Sequence, residues 1–242
     1  MGFKSEFIRL LLLLKLRLKH KLNTRGATMS NLVQEWIVKY LREKQPDREG
    51  KFREIEESAL ERGFPIIEPE VGNLLNLLVK LHKPKRILEI GAAIGYSTLW
   101  LARDLNGEIV TIELNEASAK EAQDNFDTLG YDNIKLLTGN ALEILPTLEG
   151  KFDFIFIDAA KGQYPNFLEE SLRLINDGGL IIADDVLFKG MIADDRFYHP
   201  RYNTLTRRLR EYVDTIMDHP LLDSSIVPLG DGLAISIKKE EE

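Results

Sequence analysis

Between residues 86 and 183 the chain alternates five short, almost wholly apolar runs with longer amphipathic stretches, and this rhythm constrains the fold more than any other feature. The runs 86–89, 108–113, 134–138, 152–157 and 180–183 are of strand length. Continuously apolar strands have to be covered on both faces, which calls for a parallel sheet whose crossovers are helices. The stretches 96–105, 117–129, 141–145 and 164–174 supply those crossovers. A further helix over 205–217 precedes two runs, 225–229 and 232–237, joined through Gly230-Asp231-Gly232, a strong hairpin signal. The expectation is an α/β fold: a seven-stranded, mostly parallel sheet closed by an antiparallel C-terminal hairpin, with helices on both faces.

Upstream, Leu32, Val33, Trp36, Ile37, Tyr40 and Leu41 recur at helical spacing and predict one buried stripe over 31–42. A charged helix over 48–62 and a third helix over 71–81 follow, separated by the segment holding Pro65 and Pro69. Residues 29–242 thus read as a single domain with an N-terminal helical extension over 29–82. The formal charge of −7 divides unevenly, because residues 1–28 hold seven Lys/Arg against one acid and the remainder is −13. That basic leader carries eight leucines, yet Arg9 and Lys15 bracket only five consecutive apolar residues, too few for a signal peptide or a membrane span. It is expected to stand outside the native fold, with Met29 as the natural start. The absence of cysteine excludes disulfide scaffolds, zinc–thiolate sites, iron–sulfur clusters and thiol catalysis, and points to a cytoplasmic protein with no membrane partner.

In open α/β sheets, ligands bind beyond the carboxyl ends of the strands. The first run delivers Glu89-Ile-Gly91-Ala-Ala-Ile-Gly95-Tyr-Ser97 there. Gly91 and Gly95 permit a tight turn and close approach, Ser97 opens the next helix, and the spacing differs from the Gly-x-Gly-x-x-Gly of dinucleotide sites. Glu113 ends the second run 22 residues after Gly91, where a carboxylate can accept from both ribose hydroxyls. Together these favour an adenosine-containing ligand.

Three motifs, Ile87-Leu-Glu89-Ile-Gly91 with Gly95-Tyr-Ser97, Ile157-Asp158-Ala-Ala-Lys161, and Ala183-Asp184-Asp185-Val186, resemble those of the cation-dependent O-methyltransferases that use S-adenosylmethionine, the class containing catechol and caffeoyl-CoA methyltransferases. The resemblance spans 29–242 and implies a Rossmann-like methyltransferase fold. It implies that Ile67, Glu89, Gly91, Ser97, Glu113, Ala141 and Asp158 surround S-adenosylmethionine, with Gly139-Asn-Ala141 bordering the adenine. It also implies a homodimer, a Mg²⁺ or Mn²⁺ ion on Asp158, Asp184 and Asp185, and Lys161 as general base. The chemistry agrees. Converging carboxylates repel one another without a cation, all-oxygen ligand sets suit Mg²⁺, and a hydroxyl is a poor nucleophile until deprotonated. A divalent ion and a sulfonium beside Lys161 are expected to lower its pKa. Asp185 stands where the family more often has Asn, which makes the site more anionic and is expected to tighten metal binding.

Catechol enzymes carry His and Trp where this chain has Ala159-Ala160, so the aromatic wall of a catechol pocket is missing. Ile66-Ile-Glu68-Pro-Glu70, Asp158-Ala-Ala-Lys-Gly-Gln163-Tyr164, Val186-Leu-Phe-Lys-Gly190 and Leu229-Gly-Asp-Gly-Leu-Ala-Ile-Ser236 are similar to the bacterial tRNA 5-hydroxyuridine methyltransferases, which convert wobble 5-hydroxyuridine to 5-methoxyuridine. The implied partner is a tRNA anticodon loop, held by Lys189, Arg201, Arg207 and Arg208. Arg196, His199 and Arg210 lie in the same basic run, and Tyr198 and Tyr202 are available for stacking. Alternatively the arginines at 207, 208 and 210 cover a solvated helix face. Two other functions stay open: a small-molecule phenolic or catechol O-methyltransferase, and a non-catalytic S-adenosylmethionine-binding protein.

Overall fold

The structure, a computed structural model, describes residues 33–46, 48, 50–194 and 199–240. The leader over 1–28 lies outside the described residues, as do Arg196 and Tyr198. Helices α1 (Glu35–Glu43), α2 (Gly50–Glu61) and α3 (Pro69–His82) form the N-terminal extension. There follow β1 (Arg86–Ile90), α4 (Tyr96–Ala102), β2 (Glu108–Glu113), α5 (Glu116–Leu129), β3 (Ile134–Thr138), the short α6 (Ala141–Ile144) and β4 (Phe152–Ile157). The chain ends with α7 (Tyr164–Leu174), β5 (Ile175–Ala183), α8 (Asn203–Asp218), β6 (Leu222–Val227) and β7 (Leu233–Lys238). Strand order is β3-β2-β1-β4-β5-β7-β6. The first five strands are parallel, and β7 runs antiparallel between β5 and β6.

The apolar runs are continuous because each strand feeds two cores. From β4, Phe154 and Phe156 join Val71, Leu75, Trp100 and Phe126 of α3, α4 and α5 on one face. Ile155 and Ile157 join Phe167, Leu168, Leu209 and Tyr212 of α7 and α8 on the other. No helix among the described residues is long and apolar enough to cross a membrane.

Element ends shift by a few residues, β6 beginning at Leu222 rather than 225 among them, and three differences from expectation have a plain physical reason. Helix α3 starts at Pro69 rather than 71, with proline at a position where its missing N–H costs nothing. Strand β5 begins at Ile175, its register slipping opposite Phe152 and Phe154, so that Gly178-Gly179 belongs to a strand with an irregularity and not to a preceding turn. On α1 the single stripe splits: Trp36 and Tyr40 are 71% and 57% exposed, while Ile37 and Leu41 are half-buried.

Candidate active site

Register places the site. Ile90 of β1 pairs with Ile112 of β2 and Ile157 of β4, and Ile157 pairs with Ala183 of β5. The next residues, Gly91, Asp158 and Asp184, therefore leave the sheet side by side, where strand order reverses around β1 and β4 and an open sheet forms its ligand crevice. Backbone hydrogen bonds continue the ladder there, from Asp158 N to Ile90 O at 2.9 Å and from Asp184 N to Ile157 O at 3.0 Å.

On the β1–β2 side, Gly91 has φ 103°, and a Cβ on it would stand 2.1 Å from the carbonyl oxygen of Asp158. Only glycine fits. Glu113 accepts from Ala93 N on Oε2 and from Asn115 N on Oε1, both at 2.8 Å, which fixes its carboxylate beside the turn. Each oxygen keeps a second lone pair, so the expected ribose contacts are compatible with this anchoring. Glu89 is fully buried; its Oε2 accepts from the hydroxyls of Thr98 and Thr111, whereas Oε1 has no partner. Burial pushes this carboxyl up to about 7, against the lowering by Thr111, Thr98 and the neighbouring Ser97. A buried acceptor without a donor is a demand for one, and the ammonium of an amino-acid moiety such as that of S-adenosylmethionine would meet it. Ile67 is buried in the cavity wall, and Ala141 opens α6 after Asn140, whose side chain accepts from Leu142 N at 3.1 Å.

On the β4–β5 side, a cavity of about 320 Å³ is lined by Ile67, Glu68, Asp158, Lys161, Asp184 and Asp185, with Pro65, Ile66, Ala93 and Ala159. The Lys161 ammonium lies 2.7 Å from Asp185 and 3.5 Å from Asp158. Asp184 is 2% exposed, and its Oδ1 accepts from Asp185 N at 2.7 Å. The Tyr164 hydroxyl donates to the Asp184 carbonyl at 2.9 Å and braces that strand end from below. Burial, with mutual repulsion, raises the pKa values of Asp158 and Asp184. For Lys161, burial works against the charge, but Asp158, Asp185 and Asp184 outweigh it and hold the ammonium above the usual lysine range. The chain's own charges thus act opposite to the expected lowering, which would have to come wholly from added cations.

Three carboxylates against one ammonium leave the site short of positive charge, and its donors are all oxygen, the set that suits Mg²⁺ or Mn²⁺. Among the described residues, however, no three His, Asp or Glu side chains already stand as a metal-ligating group. The nearest cation to Asp158 and Asp185 is Lys161. Glu68, which sequence reasoning passed over as a site residue, adds a further carboxyl; burial raises its pKa, and Asp185 and Glu70 add to the rise. Its signal in the sequence was its place in the Ile66-Ile-Glu68-Pro-Glu70 motif, beside Ile67.

The basic residues divide. Lys189, Arg201 and Arg207 are exposed. Arg208 turns inward: it donates to Gly162 O at 3.2 Å, to Asn166 Oδ1 at 3.4 Å and to Glu211 at 3.0 Å. Arg210 donates to Ile192 O at 2.8 Å and to Met191 O at 3.3 Å. These two arginines therefore brace loops beside the site and do not cover an open solvated face. Tyr202 sets its ring edge-on to Phe188 at 5.3 Å, with the Arg201 guanidinium 5.7 Å away. A second cavity, of about 370 Å³ beside Lys80, Lys83 and Asp104, lies at the amino ends of β1 and β2, away from every site residue.

Comparison with known proteins agrees with this geometry. Catechol O-methyltransferase of Niastella koreensis is 38% identical over 193 residues, covering 75% of this chain and 87% of that protein. The O-methyltransferase of Bacillus cereus, solved in complex with SAH, superposes with a TM-score of 0.75 at 29% identity, covering 84% of this chain and 97% of the other. TomG of Streptomyces achromogenes, an O-methyltransferase involved in tomaymycin synthesis and solved with SAM, gives a TM-score of 0.76 at 26% identity, covering 86% and 100%. Residues 51–239 match the sequence profile of the O-methyltransferase family. With strand order, glycine turn and acidic strand ends in place, this chain belongs to the O-methyltransferase family.

Proposed function

We propose that the chain transfers the methyl group of S-adenosylmethionine to the 5-hydroxyl of wobble 5-hydroxyuridine in tRNA, with Mg²⁺ or Mn²⁺ required. The observation that carries the reading is the cavity in which one lysine stands among four carboxyl groups, Glu68, Asp158, Asp184 and Asp185, beside a glycine turn. When bound, the sulfonium supplies an electrophilic methyl and the divalent ion stabilises negative charge on the acceptor oxygen. Asp158, Asp184 and Asp185 would hold the ion, and Glu89, Ser97, Glu113, Ile67 and Ala141 the cofactor. Lys161, brought to the neutral amine by those added cations, would take the hydroxyl proton of the acceptor; the transfer would form a C–O bond and break the C–S bond, releasing S-adenosylhomocysteine. Asp185, 2.7 Å from Nζ, orients that lysine.

Residues in and beyond the cavity support this acceptor class. Small Ala159 leaves room where a catechol pocket would carry aromatic walls, the Phe188 and Tyr202 rings lie nearby in the chain, and exposed Lys189, Arg201 and Arg207 are suited to a phosphate backbone. The 5-hydroxyl and 4-carbonyl oxygens of the base could chelate one ion as a catechol's two oxygens do. Incubation with S-adenosylmethionine, Mg²⁺ and tRNA bearing 5-hydroxyuridine is expected to yield 5-methoxyuridine by nucleoside mass spectrometry. EDTA should abolish the product, and Lys161→Ala should lower turnover by about 10²-fold or more. Normal 5-methoxyuridine in a strain lacking the gene would reject the reading. The similarity to the Niastella koreensis enzyme favours a second reading, methylation of a catechol, which the same assay tests with catechol in place of RNA. The proposed homodimer would use exposed Trp36 and Tyr40, and light scattering of Trp36→Glu against the parent tests it.

A further inference from the structure

The hairpin turn Gly230-Asp231-Gly232 has no part in the chemistry above, yet it grips the loop that follows the acidic strand end. That loop is strained: Asp185, Phe188 and Lys189 have φ of 56°, 40° and 58°, left-handed backbone that side chains disfavour. Such a conformation persists only where surrounding bonds over-determine it. Three of those bonds come from one place. Val186 N donates to Gly232 O at 2.9 Å, and Leu187 N to Asp231 O at 3.0 Å. The Asp231 carboxylate, 8% exposed, accepts from Lys189 N at 2.6 Å. Contact is close enough that a Cβ on Gly232 would stand 2.4 Å from Leu187. Burial raises the pKa of Asp231, against the pull of the Lys189 N–H. A buried carboxyl kept for one backbone amide has a positional role.

We infer that Asp231 is a positioning residue for the acidic site: from the tip of the β6–β7 hairpin, its carboxylate fixes the 185–189 loop in the strained backbone that holds the Asp185 carboxylate 2.7 Å from Lys161. The inference rests on the proposed metal reading only where it predicts an ion affinity. Its geometry stands on the chain alone.

Three variants separate acceptor geometry from charge. Asp231→Asn keeps an oxygen acceptor for Lys189 N, Asp231→Glu keeps the charge but moves the oxygens by a methylene, and Asp231→Ala removes both. Two readouts apply to the full chain: Mn²⁺ binding by electron paramagnetic resonance, and amide hydrogen exchange of residues 185–190 by mass spectrometry. Asp231→Ala and Asp231→Glu are expected to weaken Mn²⁺ about 10-fold or more, the usual cost of losing an outer-shell support, and to speed exchange at 187 and 189 while other core amides keep their protection. Asp231→Asn should stay near the parent in both. Parent-like behaviour of Asp231→Ala overturns the inference, as does an Asn variant as loose as the Ala one, which would assign Asp231 a role through charge. If the alanine variant does not fold, the Asn and Glu variants decide: parent-like Asn with loosened Glu supports the clamp, and the reverse overturns it. Should the parent bind no Mn²⁺, the metal reading fails by itself, and exchange still decides the clamp.

Discussion

Arg207 and Arg208 are adjacent in sequence and opposite in use. One side chain is exposed on α8, and the other ties α8 to Gly162, the residue after Lys161. Asn166, which accepts from Arg208, donates in turn to Gln163 Oε1 at 2.6 Å, so the short turn carrying Lys161, the proposed base, is held at both ends. If tRNA is the acceptor as proposed, removing Arg207 should raise KM for RNA with little change in kcat, and stronger salt should mimic it. Arg208→Ala should lower kcat by about 10-fold with KM nearly unchanged, since misplacing a catalytic group costs rate more than binding. Steady-state kinetics of the two variants checks this; equal effects on KM would return Arg208 to the RNA surface. The sequence showed a run of arginines but not which would face a carbonyl, because α8 presents neighbouring residues about 100° apart and only the tertiary partner distinguishes them.

At the scale of elements, α2 is locked to α4 by one buried carboxylate. Glu56 accepts from Arg48 at 2.7 and 2.8 Å and from the Tyr96 hydroxyl at 2.5 Å, under the Phe52–Trp100 ring contact. Burial alone would raise its pKa, but Arg48 and Tyr96 overcome that and hold it below the ordinary 4.5. A group more acidic folded than unfolded stabilises the fold above its ordinary value, and that stabilisation is lost as pH falls through the folded value. Glu56→Gln should cost about 1–3 kcal/mol near neutrality. In thermal melts the gap between variant and parent should close as pH falls below 4.5; a gap constant with pH would deny the charged pair its role. The central strands were legible residue for residue, since β2, β3 and β4 are apolar runs bounded by polar turns. The α1 stripe was not, because periodicity reveals an apolar face without saying how much of it the fold covers.

For the whole molecule, the catalytic edge collects residues from position 67 to position 231, and no stretch of sequence announces that gathering. Asp158, Asp184 and Asp185 could be read in advance because each ends an apolar run. Glu68 and Asp231 could not, because each reaches the site from outside the strand–helix rhythm. If the basic leader takes no part in this gathering, a chain beginning at Met29 should keep the melting temperature and the turnover of the full chain, and loss of either would give the leader a structural or substrate-binding role.

Strand β7 lies between β5 and β6, with both of its edges paired, although it is the last strand in chain order. Synthesis on the ribosome proceeds in that same order, so the glycine turn and the acidic strand ends emerge well before the hairpin inferred to clamp the loop after β5. A polypeptide cut short before residue 222 would hold every residue proposed for methyl transfer and still lack the two strands, β6 and β7, that complete the sheet. Competence would thereby be tied to completion: a nascent or truncated chain has the proposed site residues in hand but lacks the hairpin's hold on the loop after β5.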